Sequence, residues 1–448
     1  MTDSKRDLLN QLVQDEVEYL WVVFHDYSGR ACAKTAPRPS MEGVVESGVV
    51  FAKANLNMDS TDHQVSGATM LADSGDFMAV PDPRSYCLMP RYPGTALTHS
   101  FMRQSDGSPW DGCPRTRLDT IVGKLADEGF SVKAALEPEF ALLYRNEDGA
   151  LRPINASRMY SLSGLAKAND CMVDLMEELA GMGVLIPQLH KEYGPGQYEA
   201  SIQHGTPLEA VDRYLKFRAA LHDIAGKYGM VATLMPKPFA DWAGNSLHVH
   251  LSIWDADGRQ DLTASNEDDI SLSKTGLWFM GGLLAHAPAL TAVGSPTVNS
   301  YKRLLPGSWA PANIYWGGGN RSGVVRIPGV GSRRRIEFRS PDNTAQPFLL
   351  MCGLLAAGLD GIKRQIDPGP EFAGDVGHMT AAQITEHHVR FLPRTLPEAL
   401  DALEQDELVC AALGPEIFRH FLAVKRGELE AYNTLVHDWE RSTYLELY

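Results

Sequence analysis

Ser131-Val132-Lys133-Ala134-Ala135-Leu136-Glu137-Pro138-Glu139-Phe140-Ala141-Leu142-Leu143 reads as one apolar strand with two carboxylates set into its middle. Successive side chains of a strand point to opposite faces, so Glu137 and Glu139 share one face and Leu136 and Phe140 the other. Two further stretches repeat the pattern. Leu247-His248-Val249-His250-Leu251 sets two imidazoles on one face, and Arg335-Ile336-Glu337-Phe338-Arg339 sets an acid between two guanidinium groups. In each, the opposite face is apolar and suited to packing on a core. Burying an unpartnered charge is costly, so three core strands carrying such groups point to one shared polar cavity. A fourth stretch, Glu192-Tyr193-Gly194-Pro195-Gly196-Gln197-Tyr198-Glu199, adds two carboxylates around a tight turn.

Taken singly, each signal has a bland reading. A Glu-Pro-Glu triplet usually lies in a surface loop, a buried imidazole is often a satisfied core group, and Arg333-Arg334-Arg335 alone is a solvated charge run. The bland readings fail jointly, because independent accidents would all have to fall on strand faces. Five carboxylates with few nitrogens and no thiolate favour Mg²⁺ or Mn²⁺ over zinc or copper. Arginines beside such an ion suggest phosphate chemistry, since guanidinium binds phosphate in a bidentate way.

Around this centre the chain has 448 residues, 44% hydrophobic and 22% charged, long enough for two or three units. The net charge of −15 argues against nucleic-acid binding through bulk electrostatics. Residues 1–18 are charged and lack the apolar core of a signal peptide. The most apolar stretch, Gly276–Gly294, contains His286 and Pro288 and reads as a buried helix followed by a turn, so no membrane span is expected. Cys32, Cys87, Cys113, Cys171, Cys352 and Cys410 stand singly, which fits free thiols in a reducing, cytoplasmic setting.

Residues 4–18 read as a short amphipathic helix. Tyr19–His25 followed by Asp26-Tyr27-Ser28-Gly29 reads as a strand and hairpin turn. Short strands broken by Gly, Pro and Asp continue to about residue 110. The expected division is a small β-rich N-terminal domain over 1–111 and a mixed catalytic domain over 112–448, α+β overall. Helices are expected over 118–128, 166–182, 208–228 and 273–287. Strands are expected over 131–143, 198–204, 246–254 and 335–339, with a mostly helical part from Pro347 onward.

In order and spacing, these segments resemble the glutamine synthetase family. The resemblance runs from the Asp26–Gly29 turn to Trp439-Glu440. It is carried by Glu-Pro-Glu-Phe (137–140), Gly-Pro-Gly-Gln-x-Glu (194–199), Asn-Ser-Leu-His-Val-His-Leu-Ser (245–252), Asn-Ser-Tyr-Lys-Arg-Leu (299–304), Asn-Arg-Ser (320–322), Val-Arg-Ile-Pro (325–328) and Arg-Ile-Glu-Phe-Arg-Ser-Pro-Asp (335–342). It implies a β-grasp N-terminal domain and a catalytic domain with a curved antiparallel sheet flanked by helices. It also implies a homo-oligomer, a dodecamer of two stacked hexameric rings with active sites between subunits. The implied chemistry uses ATP and Mg²⁺ or Mn²⁺: the γ-carboxylate of glutamate is phosphorylated, and an amine then displaces phosphate.

Position by position, the resemblance assigns Glu139, Glu192 and Glu199 to a first metal and Glu137, His248 and Glu337 to a second. His250, Ser252, Arg326 and Arg335 match nucleotide contacts. Arg321 matches a residue stabilising the transferring phosphoryl group. Arg303 and Arg339 match residues holding glutamate carboxylates, and Gly244 matches a backbone contact to glutamate.

Three departures concern the acceptor. Family members that use ammonia carry a glutamate in the flap after Lys-Arg-Leu-x-Pro-Gly; here that position is Trp309. The acid that a neighbouring subunit normally supplies falls on Ala52, with Asp59 or Asp62 as possible substitutes. Ala243 stands where the family usually has an asparagine that contacts glutamate, and Asn245, two residues on, is a candidate replacement. In addition, Asp375-Val376-Gly377-His378-Met379 lacks the tyrosine that some bacterial members adenylylate. An aromatic wall in place of an acid suits an alkyl or aryl amine or a polyamine better than ammonium. The expected activity is therefore a glutamate–amine ligase of the γ-glutamylmethylamide or γ-glutamylpolyamine synthetase kind. An ordinary glutamine synthetase is the alternative. A catalytically dead structural relative and a guanidino kinase fit the retained ligands and the Lys-Arg-Leu segment poorly.

Overall fold

The computed structural model of the chain describes residues 2–265, 271–374, 376–386 and 389–448; Asp375, at the head of the stretch without the tyrosine, lies outside them. The expected hairpin forms, with Tyr19–His25 pairing antiparallel to Ala31–Pro37. Asp26 accepts from the Ser28 and Arg30 amides at 3.0 and 2.9 Å, and Gly29 takes the left-handed conformation that closes the turn. Among the described residues the N-terminal sheet has six strands. Its order is Ala31–Pro37, Tyr19–His25, Thr95–Arg103, Asp76–Pro81, Val49–Ala52, with Cys87–Leu88 also paired to Thr95–Arg103. Tyr19–His25 and Thr95–Arg103 run parallel, in the β-grasp manner.

The larger sheet has ten strands among the described residues, and the central strand Phe130–Arg145 organises it. Leu247–Asp255, Gln197–Ser201 and Met230–Thr233 all pair with it antiparallel. Ile336–Phe338 pairs in turn with Leu247–Asp255 and with Gly323–Arg326. The alternation read from the sequence holds on the central strand: Val132, Ala134, Leu136 and Phe140 are buried, whereas Glu137 and Glu139 are only partly covered. That apolar face packs on helices Pro114–Asp127 and Pro207–Lys227, behind which lies Pro347–Arg364. A buried ion-pair network joins the two sheets' domains. Arg115 reaches Asp212 at 2.5 Å and Asp82 at 2.7 Å.

Several elements differ from expectation for local reasons. The expected helix 166–182 is two helices, Leu162–Ala166 and Asn169–Gly181, the second opening on Asn169-Asp170, residue types that favour a helix start. Past the helix Lys274–Ala285 there is a second helix, Ala287–Gly294, rather than a turn, bent by 71° from the first. Pro288 cannot donate into a continuous helix and sits in the first turn of the new one. The strand expected over 198–204 ends at Ser201, because the chain must leave the sheet to reach the Thr206–Glu209 capping box. Of residues 335–339, Ile336–Phe338 enter the ladder and the two arginines flank it. No single helix among the described residues is long and apolar enough to cross a membrane, and the bent pair is mostly buried. All six cysteines are free thiols.

Candidate active site

Register brings the charged faces together. On the central strand Glu137 lies opposite His248, and Glu139 lies opposite Glu199. One strand further, Glu337 lies opposite His250 on one side and Arg326 on the other. Ligand atoms of Glu137, His248 and Glu337 fall within 4.8 Å of one another; so do those of Glu139, Glu199 and His248, and those of His190, Glu192 and Glu199. The second expected metal group is thus assembled as a unit. The first is divided, with Glu139 and Glu192 in different groups and Glu199 shared.

The groups differ in charge balance. Glu337 is bound by Arg326 at 2.7 Å and by Arg339. Burial would raise its carboxyl, but Arg339, His250, His248 and Arg326 hold it far below the usual range. Glu137 resists burial in the same way: His250, 2.7 Å away, and His248 bring it down to about 2. Glu139 and Glu199 are compensated less: the Ser246 amide and Arg303 act on Glu139 but do not outweigh burial and its acidic neighbour. Burial and then Glu139, Glu137, Glu192 and Glu337 push Glu199 up to about 10, and burial with Glu192 raises Glu139 to about 6. Like charges directly opposite on paired strands repel, and burial and the neighbouring acids outweigh the cations around this part of the floor. Burial and then Arg339 lower the pKa of His248, which keeps it a neutral donor.

The turn carrying Glu192 is fixed from behind. Lys191 is fully buried, and its ammonium donates to the Glu192 and Gly194 carbonyls, each at 2.6 Å. Gly196 is left-handed (φ 61°), and a Cβ there would lie 2.5 Å from the Leu142 carbonyl oxygen. His190 Nε2 sits 2.9 Å from Glu192 and 3.6 Å from Glu199.

Above this floor opens a cavity of about 340 Å³. Glu139, Glu192, Glu199 and His248 form its base; Gly244, Arg303, Arg321 and Arg339 line its sides. Arg303 is buried, donates to the Ser340 and Pro341 carbonyls, and keeps Nε without a partner among the described residues. Gly244 is required for that placement, since a Cβ would fall 2.5 Å from Arg303 Cγ. The mouth is aromatic. Trp309 and Tyr193 stack with ring centroids 6.0 Å apart and an interplanar angle of 24°, and Tyr160 lies beside the floor against His190. The flap segment 305–310 that carries Trp309 contains no acid.

The expected nucleotide residues lie off this cavity. His250 bridges Glu137 and Arg335, whose Nε donates to its Nδ1 at 2.9 Å. Ser252 accepts from the Trp254 indole at 2.9 Å. Arg326 borders a neighbouring cavity of about 750 Å³ with Trp316, Gly318, Pro328 and Gly329. Asn245 is not among the residues that line this cavity. It is buried, accepts from Gln197 at 3.0 Å and donates to the Met235 carbonyl at 2.9 Å, so its side chain braces the loop while Ala243 faces the cavity. Residues 51–62 line no part of the cavity of their own chain. Asp59 is occupied by Thr61 and His63, and Asp62 pairs with Arg30.

His190, Lys191, Tyr160 and Tyr193 went unnoticed in the sequence. His190 was legible: it precedes Glu192 by two and shares its face. The other three act through contacts made only on folding.

Family models match at both ends of the chain: the glutamine synthetase N-terminal domain over residues 6–110 and the glutamine synthetase catalytic domain over 111–444. A glutamine synthetase of Halobacterium salinarum is 33% identical over 100% of this chain and 97% of its own length. A glutamate–methylamine ligase of Methyloversatilis universalis is 35% identical over 98% of each. A solved structure of a GmaS/ADP complex superimposes with a TM-score of 0.87 at 32% identity, covering 100% of both chains.

Proposed function

The chain belongs to the glutamine synthetase family, and on that premise we propose that it joins glutamate to an alkyl, aryl or polyamine acceptor, in preference to ammonia, through a γ-glutamyl phosphate. That it is an ATP-dependent ligase of glutamate with ammonia or an amine follows from the family. The choice of acceptor rests on one observation: an aromatic pair, Trp309 on Tyr193, stands at the mouth of the cavity, and the flap has no acid. An aromatic wall contacts a carbon substituent and offers ammonium no proton acceptor.

The donor set fits divalent metal. It is hard oxygen with imidazole and no thiolate, and Glu139 and Glu199 oppose each other with their carboxyls held up by burial and neighbouring acids. In this reading Glu139, Glu192 and Glu199 hold a first Mg²⁺ or Mn²⁺, and Glu137, His248 and Glu337 a second. When bound, such ions neutralise phosphate charge and polarise the transferring phosphoryl group.

The chain's own residues do the rest. Arg303 and Arg339 hold the glutamate carboxylates, with the free Nε of Arg303 as one available donor. Arg321 stabilises charge on the phosphoryl group as the γ-carboxylate oxygen attacks it and ADP leaves. Arg326, Arg335, His250 and Ser252 border the nucleotide. The neutral amine then attacks the acyl carbon, the C–O bond to phosphate breaks, and the amine's extra proton passes to the departing phosphate or to water. Trp309 and Tyr193 cover the acyl phosphate and limit its hydrolysis. The same proposal includes a ring-stacked oligomer in which the 51–62 loop, which lines no part of its own chain's cavity, faces that of a neighbouring subunit. The test is ADP release with glutamate across ammonia, methylamine, n-butylamine, benzylamine and 1,4-diaminobutane. The reading expects at least one amine to exceed ammonia in kcat/KM; ammonia first in every comparison overturns it.

A further inference from the structure

The acceptor cavity holds an acid that none of the roles above uses. Asp241 lines it from the loop 236–245, on the exposed side. Among the described residues it has no hydrogen-bond or ion-pair partner. The nearest cation in sequence, Lys237, is committed elsewhere, since its ammonium donates to the Trp242 carbonyl. The loop is held in shape by the Asn245 amide on the Pro236 carbonyl at 2.8 Å and by Phe239 packed on Trp242 with centroids 4.1 Å apart. The same cavity presents the rings of Tyr193 and Trp309, about 60% and 62% exposed despite stacking on each other, so ring surface remains for a cation.

We propose that Asp241, with the Tyr193–Trp309 pair, forms a cation subsite that holds a second, non-reacting ammonium of the acceptor, so that diamines are used ahead of monoamines of equal length. This rests on the amine-ligase reading. Two physical points select this occupant. First, Asp241 has no cation of its own among the described residues, and a diamine keeps one nitrogen charged near neutral pH while the other, deprotonated, reacts. Second, burial separates this acid from glutamate. The residues expected to hold glutamate, Arg303 and Arg339, are 4% and 3% exposed, whereas Asp241, Tyr193 and Trp309 all lie at the exposed rim. A cavity of about 340 Å³ is at the small end of ligand pockets, so the acceptor is a short amine and not a macromolecule.

The experiment compares kcat/KM for 1,4-diaminobutane and n-butylamine in wild type, Asp241→Asn and Asp241→Glu, with glutamate KM measured alongside. In wild type the diamine leads by about fivefold, and the lead shrinks as salt rises, as an exposed charge contact must. Asp241→Asn brings the ratio to about one, and Asp241→Glu keeps part of the lead. Equal use of the two amines by wild type, or a lead indifferent to both salt and Asp241→Asn, overturns the subsite while leaving the amine-ligase reading standing. A rise in glutamate KM with the amine ratio unchanged assigns Asp241 to the glutamate ammonium and overturns it too. Ammonia ahead of both amines in wild type removes the amine reading and the subsite together. A lead indifferent to salt in wild type overturns the subsite by itself, and Asp241→Ser replaces Asp241→Asn if that variant folds poorly.

Discussion

The floor and the rim of the cavity are built from different material. The floor is side chains on paired strands, with Glu137 against His248, Glu139 against Glu199 and Glu337 against His250. The rim is three loops, carrying Tyr193, Asp241 and Trp309. Strand register fixes Glu137, Glu139, Glu199, His248 and Glu337 to the backbone of the core, and Glu192 alone of the floor ligands sits on a turn. The rim projects from loops into solvent and can be rebuilt without disturbing what lies beneath. The difference teaches that phosphoryl transfer and acceptor choice are separable in this fold. Changes below should stop the reaction for every acceptor, and changes above should redistribute it among acceptors.

Glu139→Ala is the strongest attempt to break that division. Removing a floor carboxylate should lower glutamate-dependent ADP release by about a thousandfold, roughly 4 kcal/mol, equally for every acceptor. Thermal stability should change little, because relief of two opposed carboxylates offsets loss of the bond that Glu139 accepts from the Ser246 amide at 2.7 Å. Wild-type-like turnover would remove Glu139 from the metal site.

Lys191→Met tests the junction of floor and rim. The buried ammonium holds both Glu192 and the turn bearing Tyr193, and losing its two hydrogen bonds should cost about 1.5–3 kcal/mol. Calorimetry should show a lower melting temperature, and ADP release should drop for all acceptors. A selective effect on one acceptor would mean the turn belongs to the rim alone.

Trp309→Glu sharpens the comparison from above. An acid there can accept a proton from ammonium, so the kcat/KM ratio of ammonia to the best amine should rise about tenfold, roughly 1.4 kcal/mol. ADP formation itself should survive. An unchanged ratio would reduce Trp309 to a packing residue of the flap.

Asp62→Asn should do least. Its partner Arg30 is a half-exposed cation and its own side chain is 72% exposed, so the pair is worth about 0–1 kcal/mol. The ammonia-to-amine ratio should stay within about twofold. A large fall in ammonia use would identify Asp62 as the acid supplied across a subunit boundary.

The same division governs what could be read from the chain. Period-two alternation exposed Glu137, Glu139, His248, His250 and Glu337, because strand faces are written locally in the sequence. It did not reveal that Glu139 opposes Glu199, which depends on how two distant strands align. His190 obeyed the same alternation and was passed over because it stood outside the segments carrying the resemblance. Tyr193 and Asp241 had no local pattern at all: a loop residue gains meaning from what the fold sets across from it. Asn245, two residues from Ala243, looked available for glutamate, yet its amide is spent on Gln197 and Met235. The bend at His286 followed from Pro288, whose missing N–H ends one helix and starts another.

Selection of a carbon-bearing amine over ammonia by the rim is read out by competition in one tube. Wild-type protein with ATP, Mg²⁺, glutamate and equimolar ammonia, n-butylamine and 1,4-diaminobutane is analysed by product mass spectrometry. The account predicts γ-glutamyl amides of the amines in excess over glutamine, the diamine product foremost. Glutamine as the dominant product would contradict it.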